Sequence, residues 1–81
     1  MRFGEAIREI IAKRGYSIRS FGVEVGVQGS SVGRTLTHDN APMSKVLAYT
    51  NALGYDVAFV PKGCKLPDGS YIVTGEGEDN D

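Results

Sequence analysis

The sequence predicts a mainly α fold, four helices followed by a short C-terminal β-strand or hairpin. Three observations predict it. Apolar residues recur at helical spacing between Phe3 and Leu53, and glycine or proline punctuates that stretch at Gly15, Gly26, Pro42 and Gly54. Past Gly54 the period shortens to two.

Phe3, Ala6, Ile7, Ile10 and Ile11 fall at i, i+3, i+4, i+7 and i+8, which gives one apolar face of a first helix. Lys13 and Arg14 suit its negative C-terminal end, and Gly15 suits a left-handed stop. Ser17 is a good N-cap for a short second helix ending near Val25, with Phe21 and Val25 at i, i+4. A third segment from Gln28 to about Leu36 places Val32 and Leu36 together. Gly29, Ser30, Ser31, Gly33 and Thr35 make it a poor helix former, so packing has to hold it.

His38 to Ala41 reads as a loop, and Pro42 fits a first helical turn. Met43, Val46, Leu47, Thr50 and Leu53 are expected to form the inward face of a fourth helix closed by Gly54. Residues 55–60 (YDVAFV) then alternate like a half-buried strand, with Val57 and Phe59 on one side. Pro67-Asp68-Gly69 signals a turn, and residues 71–74 (YIVT) make a second strand candidate.

Composition narrows the function classes. The chain has 81 residues, 41% apolar and 23% charged, which suits one soluble globular domain. No apolar run is long enough for a membrane span, and Phe3 onward is amphipathic rather than signal-like. Cys64 is the single cysteine, so there is no disulfide framework, and a reducing cytoplasm fits. Net charge is −1, but Glu76, Glu78, Asp79 and Asp81 all lie in the last seven residues. Without those four acids, six remain against nine Lys and Arg, so residues 1–74 carry +3. A mildly basic body with an acidic tail is compatible with nucleic acid. The expected organisation is 1–54 as the helical domain, 55–74 as a strand extension for dimerisation, and 75–81 as a disordered acidic tail.

Residues 17–37 (SIRSFGVEVGVQGSSVGRTLT) carry the functional argument. Two helices that cross steeply through a tight turn need a glycine at the turn and a small residue where they touch. They also need apolar anchors on both. Gly26, Gly22 and the set Phe21, Val25, Val27 and Val32 meet these needs. The stretch from Phe3 to Gly54 resembles the Cro and phage-repressor (XRE-type) helix-turn-helix family. The resemblance includes RFGEAIREIIAKRG, the Gly26-Val27 pair and PMSKVLAYTNALG. It implies a sequence-specific regulator of double-stranded DNA, usually a dimer on a two-fold operator. The chain departs from that pattern in four ways. Gln28 stands where Ser or Thr is usual, Thr35 where a large aliphatic residue is usual, and Leu36 where an acid is usual. Strand-like segments replace the fifth helix. Leu36 is expected to take over as the anchor.

On that reading the third segment presents Gln28, Gly29, Ser30, Gly33, Arg34 and Thr37 to the major groove. Gln28 suits adenine, and Arg34 suits guanine or a phosphate. Ser30 and Ser31 suit phosphates or either base edge, and Gly29 and Gly33 let the backbone approach DNA closely. Arg19 and Lys45 are phosphate candidates, each near the start of its helix. Val57, Phe59 and Tyr71 are the expected dimerisation residues, because a lone apolar edge strand calls for a partner.

Plainer readings stand beside these. Arg19 and Arg34 can be solvated surface charges, and Gln28 can turn back to cap its own helix. The match of Gly26-Val-Gln-Gly29 to the GXXG loop of KH domains lacks the strand pattern that such a domain needs before it. His38 has no tuning neighbour, and Cys64 near Lys62 and Lys65 lacks a base and an oxyanion site. No enzyme, cofactor or metal site is expected. The alternative function is a protein-interaction or antitoxin-type module, whose acidic tail docks on a basic partner.

Overall fold

The computed structural model describes residues 1–74. Its order is α1 (Phe3–Lys13), α2 (Ile18–Val25), α3 (Gly29–His38) and α4 (Met43–Ala52). The expected tail, 75–81, lies outside the described residues.

All four helices contribute to one core. Ile7, Ile10 and Ile11 come from α1, Phe21 from α2, Val32 and Leu36 from α3, and Tyr49 with Leu53 from α4 and its cap. Phe21 sits at the centre with no exposed surface. Tyr16 and Tyr49 meet its ring edge-on, with centroids 5.6 and 5.4 Å away, the arrangement that aromatic quadrupoles favour. Leu36 is buried and Thr35 only half-buried, so Leu36 is indeed the anchor of α3.

α4 turns differently from the expectation. Tyr49, Thr50 and Leu53 are buried, Val46 is half-buried, and Met43 and Leu47 are exposed. The ring of Tyr49 fills the space over Phe21, and that choice rotates Met43 and Leu47 outward.

The expected strands are absent from the described residues, and 55–74 runs without regular secondary structure. A strand needs a ladder partner, and this segment finds none among the described residues. Its backbone N–H groups bond in two local turns, Cys64 to the Pro61 carbonyl and Ser70 to the Pro67 carbonyl, while Tyr55 bonds the Thr50 carbonyl and Thr74 the Met1 carbonyl. Pro61 and Pro67 have no N–H to give. Beyond Tyr55 the stretch 55–60 finds no cover either, since Val57 is 43% and Phe59 94% exposed. Alternation in sequence marked an apolar face without showing what would bury it.

Tyr55 and Tyr71 do fold back onto the helices. Their rings lie 6.1 Å apart, with the Lys13 ammonium over Tyr71 and the Arg14 guanidinium beside Tyr55. Tyr71, expected to serve in dimerisation, is therefore half-buried against its own chain.

Candidate nucleic-acid interface

α2 begins with a reciprocal cap. Ser17 Oγ accepts the Ser20 N–H at 3.0 Å, and Ser20 Oγ accepts the Ser17 N–H at 2.8 Å. Two short hydroxyls thus satisfy amides that would otherwise be orphaned. Arg19 lies within that first turn and is exposed.

Gly26 ends α2 at φ 80°, a left-handed conformation that costs glycine nothing, and the Val27 N–H bonds the Gly22 carbonyl at 2.9 Å. Three residues later α3 has begun. The two helices meet at backbone distance. A Cβ on Gly22 would lie 2.7 Å from the Val27 carbonyl oxygen, and one on Gly29 would lie 2.9 Å from the Arg19 Cα. Side chains at these positions would push the pair apart.

That contact settles where Gly29 faces. It is half-buried against α2, so its function is close helix packing rather than an open approach to a ligand. Gly33 also lies on the α2 side, with Ile18 Cγ2 4.0 Å from a Cβ position. Opposite the buried Val32 and Leu36, the exposed side of α3 presents Ser30, Arg34 and Thr37, and exposed Gln28 precedes its first turn. Ser31 is half-buried at the side of this stripe. Gln28 occupies the cap position but makes no capping bond, so its amide remains available to a ligand. Lys45 is half-buried in the first turn of α4, a helix whose main contacts are with α2.

One residue that the sequence did not single out joins the group. Arg8 of α1 reaches across to α3, where its Nη2 donates to Thr37 Oγ1 at 2.9 Å and to the Gly33 carbonyl at 3.4 Å. Arg8 follows the buried Ile7 on the polar side of α1, a position that sequence alone reads as solvated. Its engagement depends on how α1 lies against α3. That docking is fixed partly by Asp39, which ends α3 in the left-handed region (φ 56°) and accepts the Gly4 N–H at 2.7 Å.

The resulting surface is a helix without acidic residues, flanked by Arg8 and Arg19 and carrying Arg34. Hydroxyls, an amide, guanidinium groups and backbone N–H groups can all bond an anionic, hydrogen-bonding polymer. Of the remaining predicted positions, Val57 and Phe59 are exposed on the coil that follows α4. No helix among the described residues is long and apolar enough to cross a membrane, and no group of His, Cys, Asp or Glu among them is placed to hold a metal ion. No family model, curated protein or solved structure matches the chain.

Proposed function

We propose that this chain is a sequence-specific double-stranded DNA-binding regulator of the Cro-like helix-turn-helix kind, reading the major groove with α3 as a homodimer. The observation that carries this reading is the α2–α3 pair. Two helices are packed backbone to backbone through Gly22 and Gly29, so that a weak helix former is held rigid with its polar stripe outward. A helix of intrinsically low propensity that keeps Ser30, Arg34 and Thr37 at the surface is maintained for what it presents. Arg34 opposite the core is the best-placed base reader, and Arg19 in the capped first turn of α2 is the phosphate contact. Occupation of an operator would then repress transcription.

Homodimerisation is part of the proposal, because one short helix reads only a few base pairs. The exposed Val57 and Phe59 favour a second copy as the cover for this segment. The same exposed apolar residues favour a second reading, a protein-interaction module that keeps the helix pair as scaffold.

Selection from a random-sequence duplex library at two salt concentrations tests the proposal. Enrichment of a two-fold symmetric site with half-sites about one helical turn apart is the expected result. Weak binding without sequence preference that vanishes as salt rises would reduce the interaction to phosphate attraction and favour the protein-partner reading.

A further inference from the structure

We propose that Arg8 is a phosphate-binding residue and, together with Arg19, grips one DNA strand along a single edge of α3; this rests on the DNA-binding reading above. Gly29, Gly33 and Thr37 are spaced four apart and form that edge. In order they face Arg19, Ile18 and Arg8. Eight residues at 1.5 Å rise place its two ends about 12 Å apart. The two guanidinium-bearing side chains therefore bracket the edge, one supplied by α2 and the other by α1.

Arg8 is held in place as well as charged. A free arginine sweeps a wide volume and loses that freedom on binding, whereas Thr37 Oγ1 and the Gly33 carbonyl already restrain this one. Both bonds use Nη2, so the N–H groups of Nη1 and Nε remain, each able to donate a single charge-assisted bond to a phosphate oxygen. No carboxylate among the described residues pairs with Arg8, and α3 supplies none. Thr37 thereby changes its role. Its hydroxyl positions Arg8, which removes it from the residues expected to read a base by themselves.

Affinity for a short random-sequence duplex, measured by fluorescence anisotropy over a series of KCl concentrations, tests this. Arg8→Ala and Arg8→Gln should each weaken binding about 5- to 10-fold at moderate salt. Each should also reduce the slope of log affinity against log salt by about 0.9, the signature of one lost phosphate contact. Arg8→Lys should keep the slope, since its charge remains. Thr37→Val should keep the slope too, while weakening binding a few-fold because the guanidinium is no longer held. Arg8→Gln retains a donor for Thr37, so it tests the charge even if Arg8→Ala lowers stability. Tight duplex binding by the parent with an unchanged slope in Arg8→Gln would overturn the Arg8 assignment and leave the DNA-binding reading standing. A parent that does not bind the duplex at low salt would overturn both.

Discussion

The same substitution, glycine to alanine, should have opposite effects at Gly22 and Gly33. Both lie within helices, where alanine is intrinsically better by about 1 kcal/mol because it restricts the unfolded chain. At Gly33 the nearest atom to a new methyl is a side-chain methyl 4.0 Å away, ordinary contact, so the gain should be realised as about 0.5–1 kcal/mol. At Gly22 the methyl would lie 2.7 Å from the Val27 carbonyl oxygen and 3.0 Å from the Gly29 nitrogen. Both are backbone atoms and cannot swing away, so the helices must separate at a cost of roughly 2–3 kcal/mol. The net effect is a loss of about 1–2 kcal/mol. For a domain of this size each kcal/mol moves the melting temperature by roughly 4–8 °C. Thermal unfolding followed by circular dichroism should therefore show the two variants at least about 6 °C apart, on opposite sides of the parent. A Gly22→Ala protein as stable as the parent would mean that the helices do not touch there, and the packing argument for α3 would fail with it.

Three further outcomes are expected. Tyr49→Phe should leave stability unchanged or raise it by about 1 kcal/mol in urea unfolding, because the buried hydroxyl makes no hydrogen bond among the described residues; a clear loss would reveal a partner for it. Arg34→Ala should weaken binding to a selected site by about 1–3 kcal/mol without shifting the melting temperature, and equal affinity for that site would remove Arg34 from the base readers. Phe59→Ser should not destabilise a monomer, given 94% exposure, yet should lower self-association in sedimentation equilibrium. An unchanged association constant would place the dimer contact elsewhere.

The helical half of the fold was legible because each helix carries its own instructions. The Ile7, Ile10 and Ile11 face, the Ser17 cap and the left-handed Gly26 are local features, and local physics decides them. The α2–α3 contact was legible in outline from Gly22 and Gly26. What sequence could not give was the direction in which an element faces. In sequence Gly29 reads as open, because a missing side chain looks the same whether solvent or the Arg19 backbone fills the space. Leu47 and Tyr49 are both apolar enough for a core, and only the position of Phe21 favours the aromatic ring. The role of Arg8 is illegible in sequence for a similar reason: its partners are on α3, 25 and 29 positions away, and neither is acidic. The alternation at residues 55–60 described a strand's chemistry without the ladder that makes one.

The Gly22–Gly29 contact also bears on how the chain reaches its native state. The two backbones that touch are separated by only seven positions, and the whole α2–α3 unit spans Ile18 to His38. Closing so short a loop costs little chain entropy, and contacts this local are associated with folding in microseconds to milliseconds. The bond from Asp39 to Gly4 instead closes a 35-residue separation, so α1 docks onto a pair that can already have formed. Arg8 arrives with α1. The exposed side of α3 would then be in place before Arg8 reaches it.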